Sequence, residues 1–374
     1  MIPILTGIIA IYCLIILVLI VGFLKILPQR TSKTIQKTTF SICIPFRNEA
    51  ENLPALLDSL SALNYPDSLF EIIFIDDHSK DNSVEIITGF CQKNAVFQSK
   101  MILLSQKSIA KSGKKAALSL AIEHAKNDYI LTTDADCIVP QNWLIEFNCF
   151  IQNHKKKFIA APVMLFKTSS SFLNLFQQLD FLSLQGATMG AFGIKKPFLC
   201  NGANLAFCRS DFFRLGGYTG NEDIASGDDL LMMQKFLEDN PDIVGYLKSK
   251  NSIVKTQAQT SWHQLINQRK RWAAKASKYK NRVAMLVSWA VFLANFAFIL
   301  AIFYLKTSVF LTSIVLFKIL IDFVIIALAA SFFGKKSYLF GYLGSFLIYP
   351  FFTIYIAVSS QFQSFDWKGR GLRK

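Results

Sequence analysis

Tyr129-Ile-Leu-Thr-Thr133-Asp134-Ala135-Asp136 runs five β-prone residues straight into two carboxylates one residue apart. It reads as a buried strand that ends in acids. Two upstream stretches repeat the form. Thr39-Phe-Ser-Ile-Cys-Ile44 leads into Pro45-Phe46-Arg47-Asn48-Glu49, and Phe70-Glu-Ile-Ile-Phe-Ile75 leads into Asp76-Asp77-His78-Ser79. Helical stretches separate them. Residues 50–63 carry Leu53, Leu56, Leu57 and Leu60 at helical spacing; helices are also expected over 83–94 and 114–125, and a further strand over 100–104. Such alternation predicts an α/β domain around a mostly parallel sheet with right-handed crossovers. Ligands of these sheets sit at the carboxyl ends of the strands. Three strand ends carrying acids therefore outline a site.

The rest of the chain is unlike a soluble enzyme. Of 374 residues, 52% are hydrophobic, 35 are Phe and only 17% are charged, against about 25% charged in soluble domains. Such low polarity excludes a mostly disordered chain. Lys+Arg is 40 against Asp+Glu 25, a net +15. With so few charges, that balance points to an anionic membrane surface or a phosphate-bearing ligand, not to nucleic acid.

Ile4–Leu24 is 21 residues without a charge, roughly 30 Å as a helix and long enough to span a bilayer. No basic residue precedes it and no small-x-small site follows, which argues against a cleaved signal. Lys25, Arg30, Lys33 and Lys37 follow, placing residues after the span in the cytoplasm. Three further apolar runs, about 283–305, 308–333 and 337–358, come after a stretch from Trp262 to Arg282 that has no acid. The expected plan is a transmembrane helix over 1–25, a cytoplasmic domain over 26–282, three spans over 283–358 and a basic tail over 359–374. The span count puts the tail outside, whereas Lys368, Arg370, Arg373 and Lys374 favour inside; Pro350 permits a kink in the last span. Lys318 and Asp322 share a face of the third span, either as a packing ion pair or as a polar contact to a lipid or transported group.

Two later stretches read as interfacial helices: 171–186, with Phe172, Leu175, Phe176, Leu179 and Leu182 on one face, and 263–280, basic with Trp272 embedded. The alternative is ordinary helices packed on the sheet. Lys111-Ser112-Gly113-Lys114-Lys115 lacks the first glycine of a P-loop, and no GxGxxG occurs. Seven cysteines form no CxxC pair, and four histidines are too few for a zinc site of ordinary spacing.

Asp134 and Asp136 at a strand end can share a divalent cation, with a diphosphate and water filling its other positions; Mg²⁺ favours that mixture. Alone the pair is weak, because two solvated acids in a turn look the same. The same openness holds for Asp76-Asp77 as an Asx turn, Glu49 as a helix cap, Asp228-Asp229 as acids at a helix start, Trp272 as an interface anchor and Arg271 as one more lipid-facing cation. The order of the elements narrows this. Pro45-x-Arg47-Asn48-Glu49, Asp76-Asp77-x-Ser79-x-Asp81, Gly113-Lys114 and Asp134-x-Asp136 are followed by Cys200-Asn201-Gly202-Ala203-Asn204, Gly227-Asp228-Asp229 and Gln268-x-x-Arg271-Trp272.

In that order, over about residues 39–275, the chain resembles the membrane-bound family-2 glycosyltransferases, which include synthases of cellulose, chitin, hyaluronan and poly-N-acetylglucosamine. The resemblance implies a GT-A fold, a Rossmann-like nucleotide-sugar half joined to an acceptor half. It implies a UDP-sugar or similar donor, with Pro45 and Arg47 at the donor site, Glu49 and Asp77 on base and ribose, Asp76 nearby, Lys114 near the nucleotide and Asp134 contacting it. Asp136 would bind Mg²⁺ or Mn²⁺, with Asp134 beside it. Asp229 matches the catalytic aspartate of the family's Thr-Glu-Asp element; this chain reads Gly-Asp-Asp, so Asp228 stays open beside it. Gln268, Arg271 and Trp272 would serve the diphosphate and acceptor. Phe198-Leu-Cys200-Asn201-Gly202 resembles a variant of the processive synthases' Phe-Phe-Cys-Gly-Ser element, which puts Cys200, Asn201, Gly202 and Asn204 at the acceptor.

The implied activity is an inverting, metal-dependent transfer of sugar to a lipid-linked or glycan acceptor at the membrane. Asp229 takes the acceptor proton as the new bond forms, and metal and Arg271 neutralise the leaving diphosphate. Alternatives are a processive synthase that also passes its product through the membrane, a transporter subunit, and an inactive scaffold.

Overall fold

The computed structural model describes residues 1–29, 34–106, 113–166, 171–219, 227–276, 281–362, 365–367 and 370–372. Arg30, Lys33, Lys111, Ser112, Lys368, Arg373 and Lys374, named above, lie outside them, as do Lys278 and Lys280 of the basic stretch 263–280. The chain divides into two compact units. One holds Leu27–Phe166 and Cys200–Gln257; the other holds Met1–Ile26, Lys167–Leu199 and Ala258–Lys374.

The first unit is an α/β domain. Strands β1 (Phe40–Phe46), β2 (Phe70–Asp76), β3 (Met101–Ser105) and β4 (Tyr129–Thr132) alternate with helices α2 (Leu53–Ser61), α3 (Ser83–Lys93), α4 (Ala95–Gln98) and α5 (Lys114–His124). Two short strands, β5 (Cys137–Ile138) and β6 (Phe158–Ala160), flank helix α6 (Trp143–His154), and β7 (Val163–Leu165) follows. Then come β8 (Leu205–Cys208), α8 (Arg209–Arg214), α9 (Asp228–Asp239), β9 (Val244–Tyr246) and β10 (Val254–Thr256). The main sheet has the order β3-β2-β1-β4-β8-β6-β9. Ile42, Cys43, Ile44, Ile72, Ile73, Phe74, Ile75, Ile130 and Leu131 are fully buried, which is why these strands read as unbroken apolar runs. The four leucines at helical spacing in α2 are all buried.

β1, β2, β3 and β4 are mutually parallel, as the alternation predicts. Beyond β4 the sheet is mixed: β8 lies antiparallel between β4 and β6. A second sheet joins β5, β10 and β7. The departure has a physical cause. β8 follows the segment 167–199, which belongs to the other unit, so no helical crossover on this sheet dictates its direction. The order reverses at β1/β4, with β2 and β3 on one side and β4 on the other. That is the switch point where the strand ends splay and leave a crevice.

The second unit gathers helices α1 (Ile2–Lys25), α7 (Phe172–Gly193), α10 (Trp262–Ala276), α11 (Arg282–Ala301), α12 (Val309–Phe332) and α13 (Tyr342–Phe362). Ile2–Lys25, Arg282–Thr307, Val309–Phe332 and Lys336–Phe362 are long and apolar enough to cross a membrane. They coincide with the four expected runs and fit a membrane protein. Pro350 stands inside α13.

One expected boundary moves. Residues 167–199 and those from 258 onward group with the apolar helices and not with a continuous 26–282 body. Helix α7 is also not the one-faced surface helix its leucines and phenylalanines suggest. Its polar residues Gln177, Gln178, Asp180, Gln185 and Thr188 are buried beside its apolar ones. Three glycines allow this. A Cβ on Gly193 would overlap the Gly22 carbonyl, one on Gly22 the Gly190 carbonyl, and one on Gly190 the Leu19 carbonyl. Helices α1 and α7 therefore meet backbone to backbone, a packing only small residues permit.

The charges in the third span are spent on each other. Lys318 Nζ donates to Asp322 Oδ2 at 2.8 Å, and Tyr12 Oη donates to Asp322 Oδ1 at 2.7 Å. Lys318 is buried with its ammonium 4.9 Å from the Tyr12 ring centre. Of the two readings, packing is the one the geometry realises: the pair ties α12 to α1.

Candidate active site

The loops after β1 and β2 are stitched into one edge. Asp77 N–H donates to Phe46 O at 2.9 Å, and Arg47 Nη1 donates to Asp77 O at 2.9 Å. Asn48 N–H donates to Ser79 Oγ at 3.0 Å, and Glu49 N–H to Ser83 Oγ at 2.9 Å. Asp76 Oδ1 accepts from Ser79 N–H at 2.9 Å, three residues on, which holds the turn after β2. Asn48 and His78 take left-handed backbone, φ 50° and 60°, a conformation stored where a site requires it. Asp77 is 2% exposed, and its Oδ1 accepts from Gly113 N–H at 3.1 Å, so it links β2 to the start of α5. The Glu49 carboxylate accepts from Asn52 Nδ2 at 2.7 Å. Pro45 is a buried strand residue opposite Ile75.

The end of β4 supplies the second edge. Ala135 is buried while Asp134 and Asp136 are both half-buried in the turn that follows β4. Lys114, the first residue of α5, pairs with Asp134. Asp228 and Asp229 open α9, where the helix dipole favours negative charge. Asp229 Oδ2 accepts from Gly202 N–H at 2.9 Å and Oδ1 from Leu230 N–H at 2.9 Å. Gly202 O in turn accepts from Thr132 Oγ1 at 2.7 Å, which fastens the glycine to β4. A methyl group on Gly202 would lie 3.6 Å from Asp229 Oδ2 and 3.6 Å from Lys114 Nζ. The Asp229 carboxylate and the Lys114 ammonium thus face one small space. Lys115 Nζ lies 3.6 Å from Asp228 Oδ1.

The charges shape one another. Burial works against the Lys114 ammonium, but Asp134 first, then Asp229 and Asp228, more than offset it and hold the group well above its usual pKa. Burial, then Asp228 and Asp229, push the Tyr218 phenol up. Burial, then Asp136 and Asp134, push the Cys137 thiol up, and its S–H donates to Asp136 Oδ1 at 3.5 Å. At neutral pH the cleft therefore holds a permanent cation among carboxylates, with neutral phenol and thiol around it.

No group of three or more His, Cys, Asp or Glu able to hold a metal occurs among the described residues. Two half-buried carboxylates one residue apart after a strand nevertheless fit Mg²⁺ or Mn²⁺, ions that take the rest of their ligands from phosphate and water. The donor set is all oxygen, as those hard cations require.

The pattern of Glycosyl transferase family 2 matches residues 41–214, and that of Glycosyl transferase family group 2 matches residues 129–357, more than half of the chain. The chain belongs to the family-2 glycosyltransferases. It is 31% identical over 104 residues to "Glycosyltransferase AglE" of Haloferax volcanii, covering 28% of this chain and 32% of that one. It is 31% identical over 142 residues to the poly-beta-1,6-N-acetyl-D-glucosamine synthase of Staphylococcus epidermidis, covering 37% and 32%. The matched stretch spans about a third of the length of these relatives. Among solved structures, the mannosyltransferase PcManGT of Pyrobaculum calidifontis, in complex with GDP-Man and Mn²⁺, aligns over 92% of this chain and 99% of its own at 17% identity and a TM-score of 0.54. That likeness shows the shared GT-A fold.

Against this family frame, one expected site residue turns away. Asn204 is fully buried: its Oδ1 accepts from Trp143 Nε1 at 2.9 Å, and its Nδ2 donates to Pro162 O and Ser252 O at 2.8 Å. It pins β8 to its neighbours, with both amide hydrogens committed to backbone carbonyls. Asn201 Oδ1 accepts from Ala203 N–H at 3.0 Å, shaping the turn that presents Gly202. Cys200 is half-exposed at the start of that turn. In the family-2 glycosyltransferase element Gln268-x-x-Arg271-Trp272, all three residues lie on α10 in the unit of apolar helices, and Arg271 and Trp272 are half-buried. Lys115 and Tyr218 join the charge cluster without a signal in the sequence; only their proximity to Asp228 reveals them.

Proposed function

We propose that this chain transfers a sugar from a nucleotide-diphosphate sugar, a UDP-sugar first among the donors, to a membrane-associated lipid or glycan acceptor, inverting the anomeric centre. The observation that carries this reading is Asp229, fixed by Gly202 and Leu230 N–H groups and facing the same space as Lys114, itself paired with Asp134. Asp229 accepts the acceptor hydroxyl proton as that oxygen bonds to the anomeric carbon, and the carbon–oxygen bond to the diphosphate breaks in the same displacement. Lys114 holds its proton throughout and faces the negative charge that leaves. Asp228, tied to Lys115, opens the same helix one residue before the base. Glu49 and Asp77 hold base and ribose with Asp76 nearby, and Pro45 and Arg47 belong to the same donor site. Gln268, Arg271 and Trp272 serve the diphosphate and acceptor, and Cys200, Asn201 and Gly202 the acceptor side. A divalent ion, Mg²⁺ or Mn²⁺, held by Asp134 and Asp136 supplies positive charge to the diphosphate when bound.

The protein is proposed to be multi-pass in the cell membrane with its catalytic unit in the cytoplasm. The mutual pairing of Lys318, Asp322 and Tyr12 supports a single or short transfer, because the charges of the spans are committed to packing and not to a product path.

The test uses detergent-purified protein, Mn²⁺ and a panel of nucleotide sugars, following nucleoside diphosphate release with and without membrane lipid extract. Release from one donor, lost on chelation and in Asp136→Ala, is the expected result. A need for the extract makes the acceptor lipid-borne, and an insoluble product without it favours the processive synthase. No release from any donor sinks the proposal. Gly202→Ala refines it. The added methyl makes ordinary 3.6 Å contacts, so the fold and donor affinity hold, while crowding beside Asp229 lowers kcat on the order of ten- to a hundredfold. Unchanged kcat would remove Gly202 from the acceptor side.

A further inference from the structure

The family element on α10 has a companion that its sequence spacing does not contain. Arg269 is counted by the sequence among the basic residues of a membrane-facing stretch. In the structure it turns inward. Its side chain is 7% exposed, and that of Asp180, on α7, is 6% exposed. Arg269 Nε donates to Asp180 Oδ2 at 2.7 Å, with Nη2 2.7 Å from the same oxygen. The remaining terminal nitrogen, Nη1, donates to Gln268 Oε1. The face of the guanidinium lies 4.2 Å from the centre of the Trp272 ring. Phe181, next to Asp180, reaches the same ring from α7, centroid to centroid 6.4 Å.

One planar cation thus touches an acid on a neighbouring helix and two of the three residues of the Gln-x-x-Arg-Trp element. The three contacts are mutually dependent. A guanidinium is a rigid fork, so anchoring one edge on Asp180 fixes where its other donors and its face point. Its own side chain is long and flexible, and without the carboxylate nothing sets that plane. A buried cation also needs its counter-charge; deprived of Asp180 it must seek another acceptor or water. Gln268 and Trp272 would lose their template in either case.

We propose that the Asp180–Arg269 ion pair is a positioning device that orients the Gln268 amide and the Trp272 ring for the transfer reaction. This rests on the reading of Gln268 and Trp272 as diphosphate- and acceptor-serving residues. Neither Asp180 nor Arg269 touches substrate in this scheme; both act through the two residues beside them. The pairing also makes α7 part of the catalytic apparatus, although α7 carries none of the family's motif residues.

The test uses the full-length protein in detergent with the donor identified above. Asp180→Asn keeps the volume and removes the charge. The expected result is a donor Kd within about twofold of the parent and a kcat lower by about a hundredfold, the scale of a misplaced but present group. Trp272→Phe lowers kcat by itself, and Asp180→Asn added to it costs little more, because the positioned ring is already altered. Arg269→Lys does not rescue, since an ammonium cannot bridge Asp180 and Gln268 while lying flat on the ring. If Asp180→Asn proves too unstable to purify, Asp180→Glu keeps the charge and moves it by one methylene, and the same kcat loss with donor Kd intact is expected. Losses that multiply in the double variant, or a kcat unchanged in a folded Asp180 variant, overturn the proposal. Failure of the underlying reading looks different: Trp272→Phe and Gln268→Ala would then turn over like the parent, whatever Asp180 does.

Discussion

Asp229→Asn folds, binds its nucleotide sugar and turns over about a thousandfold more slowly, within the range a lost general base produces. Asparagine has the same shape, and its amide oxygen can still accept from Leu230 N–H at the start of α9. It cannot take a proton. It also presents an amide nitrogen or a single acceptor where Asp229 now accepts from both Leu230 and Gly202. The cost to folding is modest, about 1 kcal/mol, because one charge-assisted hydrogen bond is weakened and not a packed core. Steady-state kinetics with thermal unfolding on the same sample separates the two effects. Parallel Asp228→Asn sharpens the assignment. Asp228 is bound to Lys115, so its loss is expected to lower kcat far less than the loss of Asp229. A larger effect at Asp228 would exchange their roles.

Gly190→Ala disrupts the unit of apolar helices. Its Cβ would overlap the Leu19 carbonyl, and backbone cannot yield as a side-chain tip can. The helices must separate, which forfeits contact along their length. Overpacking of this kind costs about 3 kcal/mol, on the order of 4 °C in the unfolding midpoint for a protein of this size. Gly7, on the same helix α1, is the control: nothing stands within 4 Å of a Cβ there. Gly7→Ala is therefore expected to leave the midpoint unchanged or raise it. Equal behaviour of the two variants would show that α1 and α7 do not meet through glycine backbone.

Much of the molecule is legible in its residues. The parallel core appears because β1, β2 and β4 are buried apolar runs, and the site appears because acids follow those runs directly. Four candidate spans stand out because runs of 20-odd residues with at most two charges have few other uses. What local pattern misreads is the partner of a surface. The stretch 171–186 looks like a helix with one greasy face, but glycines 22, 190 and 193 and buried glutamines make it a packed element instead. Asn204 sits in family order between Gly202 and β8, yet Trp143, Pro162 and Ser252 consume its amide. Arg269 looks like one more cation of a basic stretch until Asp180, 89 residues away, claims it.

The sequence by itself determined the α/β core, the four helices long and apolar enough to cross a membrane, and the order of the carboxylates that follow the strands. Each of these is written in near-neighbour periodicity or in residues that directly follow a strand. Only the tertiary structure decided that β8 runs antiparallel, that α7 joins the apolar helices, that Asn204 is buried on Trp143, Pro162 and Ser252, and that Lys114 lies among the acids while Arg269 is buried on Asp180. Those outcomes depend on which distant side chain supplies a charge, a carbonyl or an absent Cβ, and contacts between distant residues leave no period in the chain.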